Sequence, residues 1–303
     1  MRELTRETIT DAVLEQMATT PDARMKEVMA SAVRHLHAFA REVNLTPAEW
    51  IKGIAFMTEV GKMCTPERQE FILLSDTLGL SALVNFLHDS TAMEDATHTS
   101  LLGPFYREAS PKLAAGSQIA KKVKPGSECA LYGQVTDING KPLAGATVSV
   151  WQTGADGLYD IQESTTAVDY RGVFTTDADG KYLVRTVKPL GYFIPMDGPV
   201  GAMIQAQKRH GKRPAHIHFL VGSPGYRELV TALYLRDDPH LADDVVFGSS
   251  DDLAVDINPN DANCPIKGLP SICFDMRLAR ETAADKAGGR VGADPSAIVK
   301  QPA

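Results

Sequence analysis

The chain is poor in cysteine. Cys64, Cys129, Cys264 and Cys273 are the only four in 303 residues, and no two form a C-x-x-C pair. This excludes a zinc knuckle of paired thiols and a disulfide-stapled scaffold, and it fits a reducing compartment. Clusters of Lys and Arg interleaved with aromatic residues are also missing. With a formal net charge of -7 and a pI near 5.6, nucleic acid is not expected as the main partner. Lys121-Lys122 and the stretch from Lys208 to Lys212 read as solvated loops. No apolar run reaches the ~20 residues of a membrane-spanning helix. The segment Met1 to Glu7 lacks the apolar core of a signal peptide, so a cytoplasmic protein is expected. A hydrophobic content of 44% over 303 residues is ample for a buried core and suggests about two domains.

The first ~90 residues have helical period. Met25, Val28, Met29, Ala32, Leu36, Phe39 and Val43 form one apolar stripe that needs a partner. Thr46-Pro47-Ala48-Glu49 reads as a capping box opening a second helix with Trp50, Ile51, Ile54 and Met57. Thr65-Pro66 starts a third, through Phe71, Leu74 and Leu78 towards Leu87, with Gly79 as a possible break. After Ser100 the texture changes to short alternating runs. Asn139-Gly140 separates residues 131–135 from 146–151, and Asp179-Gly180 separates 173–175 from 182–184. Strands at this spacing suggest a β-sandwich. From Glu281 onwards the chain is rich in Ala, Gly, Asp and Lys, as in a loosely attached tail.

Arg213-Pro214-Ala215-His216-Ile217-His218-Phe219-Leu220-Val221 carries the most chemical information. On a strand His216, His218 and Leu220 share one face, while Ile217, Phe219 and Val221 share the other. The second face can enter a core, and the first offers two adjacent imidazoles to a metal ion. Pro214 is tolerated at the strand's start. A second His-x-His, His35-Leu36-His37, lies in a segment of helical period. Residues two apart on a helix point to nearly opposite sides, so these read as ordinary helix residues. Two histidines seldom complete a metal site, and Tyr159 and Tyr192, each close behind a glycine, are candidates to join them. Tyrosine is also simply a good strand former.

Taken together, Gly103-Pro104-Phe105-Tyr106, Trp151-Gln152 leading to Tyr159, Gly191-Tyr192-x-Ile194-Pro195, the Arg213 to His218 run and Ser223-Pro224-Gly225-Tyr226-Arg227 resemble the intradiol ring-cleavage dioxygenases. The resemblance covers nearly the whole chain and is to the catechol and hydroxyquinol branch. The intervals of 33 residues from Tyr159 to Tyr192 and 24 from Tyr192 to His216 are close to the family pattern.

The resemblance implies a mainly β protein: an antiparallel β-sandwich catalytic domain over residues 96–280, an N-terminal α-helical dimerisation domain over 1–95, and a C-terminal tail over 281–303. It implies one non-haem Fe(III) per subunit, bound by Tyr159, Tyr192, His216 and His218. A hard ferric ion favours anionic oxygen, and imidazole supplies borderline nitrogen ligands. Tyr192 would leave the metal as substrate binds, and Arg213 would stabilise negative charge on the ring. The implied pocket is lined by Leu73, Asp76, Leu102, Gly103, Pro104, Phe105, Ile194, Pro195 and Arg213. Asp76 resembles the hydroxyquinol enzymes, where an acid accepts a hydrogen bond from the third hydroxyl.

The expected reaction is therefore cleavage of hydroxyquinol with O2 to 3-hydroxy-cis,cis-muconate and maleylacetate, with catechol or chlorocatechol as the alternative substrate. A homodimer through the N-terminal helices, with a phospholipid between them, is also implied. In one respect the chain departs from the family: many members carry Gln where this sequence has Ala232, fourteen residues after His218. Residues 140–148 also resemble transthyretin-like binding modules, which are not enzymes.

Overall fold

The computed structural model describes residues 3–65, 68–89, 95–163, 168–282 and 285. Apart from Glu281, Thr282 and Asp285, the tail expected over 281–303 lies outside the described residues. The chain forms two compact units, Met1–Glu59 and Val60–Ala303.

In the first unit, α1 (Ile9–Gln16) and α2 (Ala23–Glu42) are followed by α3 (Pro47–Lys62), whose last residues enter the second. Helix α2 begins where the Asp22 side chain accepts a hydrogen bond from the Met25 N–H at 2.9 Å. The expected capping box opens α3. Glu49 accepts from the Thr46 N–H at 2.9 Å, and the Thr46 hydroxyl oxygen accepts from the Glu49 N–H at 3.3 Å. The α2 stripe is open, with Leu36 and Phe39 exposed, and so are Trp50 and Ile54 on α3. His35 and His37 are indeed helix-surface residues, and His37 Nδ1 lies 3.0 Å from the Thr10 hydroxyl.

In the second unit the helix expected from Thr65 is two helices, α4 (Glu70–Thr77) and α5 (Leu80–Asp89). They part at Gly79, whose φ of 75° belongs to the left-handed region that side chains disfavour. Although the sequence read residues 1–95 as one helical region, α4 and α5 fall in the same unit as the strands. Leu73 of α4 packs against Leu101, Ile194 and Val246, which holds it there.

The strands are β1 (Glu128–Asp137), β2 (Thr147–Gln152), β3 (Arg171–Thr175), β4 (Lys181–Val187), β5 (Tyr192–Phe193), β6 (Lys212–Arg213), β7 (His216–Gly222), β8 (Leu229–Leu235), β9 (Ala254–Val255), β10 (Ser271–Cys273) and β11 (Met276–Leu278). Short helices α6 (Asp160–Glu163) and α7 (Pro199–Ala206) interrupt them. One sheet is ordered β3-β2-β7-β8-β9; the other joins β10, β4 and β11 to β1. Apolar residues of both, such as Leu131, Val184 and Ile272 from one and Val148, Ile217 and Phe219 from the other, share a single buried cluster. The sheets are not purely antiparallel as expected. β10 and β11 run parallel to β1, and β9 runs parallel to β8, because each returns through a long connection instead of a hairpin. Both expected turns form, with Gly140 and Gly180 at positive φ, but each carries the chain from one sheet to the other.

Candidate active site

Four segments converge on the chemistry. Strand β7 alternates as expected: Ile217, Phe219 and Val221 enter the main core, while His216 and His218 face the other way with only 1% of each exposed. The short β5–β6 pair sets Tyr192 opposite Arg213. Tyr159 stands just before α6, where its N–H donates to the Gln162 side-chain oxygen at 2.9 Å. The glycines ahead of the two tyrosines permit close backbone approach. A Cβ at Gly157 would stand 3.3 Å from the Gly191 carbonyl oxygen, and one at Gly191 would stand 2.6 Å from that of Arg213. The Tyr159, Tyr192 and Arg213 segments therefore pack backbone to backbone.

His216 Nδ1 lies 2.6 Å from the Pro214 carbonyl oxygen, which can only accept. The proton therefore sits on Nδ1 and the Nε2 lone pair points into the site. Around that lone pair stand the Tyr159 hydroxyl at 3.2 Å, His218 Nε2 at 3.1 Å and Arg213 Nη1 at 3.3 Å. One lone pair cannot satisfy three such neighbours. Donor atoms bound ~2.0–2.1 Å from a common ion stand about this far apart. Burial, reinforced by Arg213, holds His216 well below the usual imidazole range, and burial with His216 does the same to His218. Both are neutral, as ligands must be. Burial also holds the Tyr159 and Tyr192 phenols above their ordinary range, an effect that a nearby metal cation reverses. Two phenols and two neutral imidazoles, with a backbone carbonyl orienting one of them, fit a hard trivalent metal.

Aromatic packing stiffens the group. Phe105 stacks on Tyr159 at 4.3 Å between ring centroids, and Trp151 lies parallel to His218 at 4.9 Å. Asp160 and Arg171, both buried, form an ion pair beside Tyr159, and Arg171 also donates to the Phe105 carbonyl oxygen at 3.1 Å. Ala232 lies opposite His218 in the β7–β8 register, and its methyl group offers no hydrogen bond. The Trp151 Nε1 atom is buried without a hydrogen-bond partner among the described residues.

A cavity of about 180 Å³ opens beside these groups. An engineered void of roughly 150 Å³ already holds benzene. Of the residues expected to line it, Leu73, Asp76, Gly103, Pro104, Phe105, Ile194, Pro195 and Arg213 do so, together with Tyr192. Leu102 does not; it packs with Trp151, Tyr159 and Tyr192, and Leu101 takes its place on the wall. Asp76 is only 7% exposed. Burial raises its carboxyl to about 6, although a Ser81 hydrogen bond and the Arg213 charge pull the other way. Sequence reasoning missed Gln162 and Val246 on the wall, as well as Asp244 and Tyr234 behind Arg213. None of these lies in a motif that marks it out.

A second histidine and carboxylate group, His210, His240 and Asp243, is built differently. His210 Nδ1 accepts from the Lys212 N–H at 3.1 Å, so its Nε2 carries the proton and faces Asp243 Oδ2 at 3.1 Å. A metal-binding histidine needs the reverse arrangement.

Comparison with known proteins agrees with this geometry. Residues 101–280 match the family described as dioxygenase, and residues 22–96 match the catechol dioxygenase N terminus. The chain is 47% identical over 249 residues to 6-chlorohydroxyquinol 1,2-dioxygenase of Cupriavidus pinatubonensis, covering 82% of this chain and 90% of that one. Among solved structures, hydroxyquinol 1,2-dioxygenase of Pseudomonas putida superposes with a TM-score of 0.84 at 40% identity, covering 91% and 99% of the two chains. Catechol 1,2-dioxygenase of Acinetobacter radioresistens superposes with a TM-score of 0.78 at 26% identity, covering 94% and 96%. This likeness sets aside the transthyretin-like alternative. With its paired histidines, buried phenols and aromatic-sized cavity, the chain belongs to the intradiol ring-cleavage dioxygenases and is an oxidoreductase.

Proposed function

We propose that this enzyme cleaves hydroxyquinol between its two adjacent hydroxylated carbons. The ring C–C bond breaks and both atoms of O2 enter the product, 3-hydroxy-cis,cis-muconate, which tautomerises to maleylacetate. The observation that carries this reading is Asp76, a buried carboxyl in a largely apolar wall, in the same cavity as Tyr192 and Arg213. The names of the relatives from Cupriavidus and Pseudomonas support it.

Tyr159, Tyr192, His216 and His218 would hold one non-haem Fe(III) per subunit, in a β-sandwich catalytic region over residues 96–280. Bound there, Fe(III) supplies a hard Lewis acid for a catecholate dianion. Tyr192, a phenolate when the metal is bound, would accept one of the two protons the diol loses on binding, and the other would pass to solvent. The Arg213 guanidinium, held in a buried setting, stabilises negative charge that builds up on the ring. Phe105, Ile194, Pro195 and Leu73 exclude water and hold the ring in plane, with Gly103 and Pro104 completing the wall. The Asp76 carboxylate accepts a hydrogen bond from the third hydroxyl. Catechol has no such hydroxyl and would forgo that hydrogen bond.

The exposed apolar residues of α2 and α3 support a homodimer through the N-terminal helical region, residues 1–95, with a phospholipid in the apolar space between subunits. No single helix among the described residues is long and apolar enough to cross a membrane, and the few unpaired cysteines support a cytoplasmic location.

Catechol or chlorocatechol is the second reading, favoured by the apolar remainder of the wall. Oxygen uptake by the iron-loaded protein, measured with hydroxyquinol and catechol in parallel and corrected for autoxidation, separates the two. Strong preference for hydroxyquinol with maleylacetate as product is expected. Preference for catechol, yielding cis,cis-muconate, would keep the iron site and overturn the substrate.

A further inference from the structure

Arg213 is anchored by groups that no sequence motif marks. Its guanidinium donates through Nε to Asp244 Oδ1 at 3.2 Å and through Nη2 to Asp244 Oδ2 at 3.1 Å. Nη2 also donates to the Tyr234 hydroxyl at 3.1 Å. These contacts fix the plane of the fork and leave Nη1 directed at the metal-facing nitrogen of His216. Asp244 has a second task. Its Oδ1 accepts from the Val246 N–H at 3.3 Å, and its Oδ2 accepts from the Gly248 N–H at 3.2 Å. One carboxylate thus holds both the cation and the loop that brings Val246 to the cavity wall.

The loop closes against this group at Gly248. A Cβ there would stand 2.8 Å from Arg213 Nη2, 2.8 Å from the Tyr234 oxygen and 3.3 Å from Asp244 Oδ2. The φ of Gly248 lies outside the left-handed region, so alanine fits the backbone and fails only for want of space. Gly248 is therefore required by what it touches, and what it touches is the charged end of Arg213.

We propose that Asp244 and Gly248 are positioning residues for the ring-cleavage step, acting by fixing the Arg213 guanidinium against the substrate side of the site. The proposal rests on the reading of Arg213 as the cation that faces the substrate. Truncating a partner of a buried ion pair leaves the other charge uncompensated, and a small displacement of a preorganised group weakens its action on the transition state.

The test uses the full-length iron-loaded enzyme and four variants: Arg213→Gln, Asp244→Asn, Gly248→Ala and the Arg213→Gln/Gly248→Ala double. Iron content and the visible tyrosinate absorption report on the metal site, and kcat and KM for hydroxyquinol are measured separately. Arg213→Gln should lower kcat by roughly a hundredfold or more. Gly248→Ala and Asp244→Asn should each lower kcat by about tenfold to a hundredfold, with less than about threefold change in KM and an unchanged visible band. In the double variant the Gly248→Ala loss should vanish, because its target is already gone. If Asp244→Asn does not fold, Gly248→Ala carries the test alone. The inference fails if Gly248→Ala keeps kcat within about twofold, or if its loss is undiminished beside Arg213→Gln. If Arg213→Gln itself leaves kcat intact, the reading of Arg213 falls, and the inference falls with it.

Discussion

The two His-x-His motifs of this chain have the same spacing and opposite fates. His35 and His37 lie on α2, the first exposed and the second bonded to Thr10 of the neighbouring helix. His216 and His218 lie on β7, buried, with their Nε2 atoms 3.1 Å apart. A spacing of two converges only where the backbone repeats every two residues. Direction is the second requirement. The Pro214 carbonyl fixes the proton on the outer nitrogen of His216, whereas the Lys212 N–H fixes it on the inner side of His210. Histidine proximity alone is therefore a poor guide to a metal site; what the far nitrogen touches decides.

The contrast is most directly broken at its buried end. His216→Gln should abolish iron retention and the visible absorption and reduce turnover by roughly a thousandfold or more, since a catalytic metal supplies several kcal/mol. Metal analysis of the purified variant checks this, and a fully loaded, active His216→Gln protein would refute the ligand assignment.

Asp76 sits off both motifs and tests the substrate instead. Asp76→Leu should lower the ratio of kcat/KM for hydroxyquinol over catechol by about tenfold to a hundredfold, the expected scale for losing a hydrogen bond to a substrate hydroxyl. Because its pKa is about 6, the wild-type KM for hydroxyquinol should rise as pH falls below that value, and the variant should lose this dependence.

The same carboxyl affects folding, with a definite sign. Its folded pKa of about 6 lies above the ordinary 3.8, so its protonated form favours the folded state. Stability is unaffected by it at the acid end, falls as pH rises from 3.8, and carries the full penalty above about 6. That penalty is on the order of 3 kcal/mol. Asp76→Asn should accordingly gain up to a few kcal/mol over wild type in urea unfolding at pH 8 and almost nothing at pH 3.5; equal gains at both would refute the burial argument.

Smallest are the effects expected on α2. His35→Ala should change stability by no more than about 0.5 kcal/mol, and His37→Ala by about 1 kcal/mol through its Thr10 contact, with iron content untouched in both.

Alternation in residues 216–221, the capping box at Thr46 and the paired glycines ahead of Tyr159 and Tyr192 were legible because each is a local rule of backbone geometry. The parallel pairings of β9, β10 and β11 were not, since a turn says where the chain reverses and nothing about which sheet receives it. Leu101 and Leu102 could not be told apart by composition, as both are apolar and adjacent. Asp244, Gly248 and Val246 escaped for a related reason: they reach the site from a loop after β8 and owe their roles to contacts far away in sequence.

The crossings at Asn139-Gly140 and Asp179-Gly180 bear on how the site comes into being. Because the chain crosses between sheets at these turns, β7 finds β8 through a short hairpin but acquires its other partner, β2, only when segments separated by scores of residues have met. Such non-local closure is slow, since loop entropy is lost before contacts repay it. Tyr159, Tyr192 and the two histidines have no reason to meet in a partly assembled chain, so the site proposed to hold the metal is a late product of folding. During refolding in the presence of iron, the tyrosinate colour should return in step with global structure and never ahead of it.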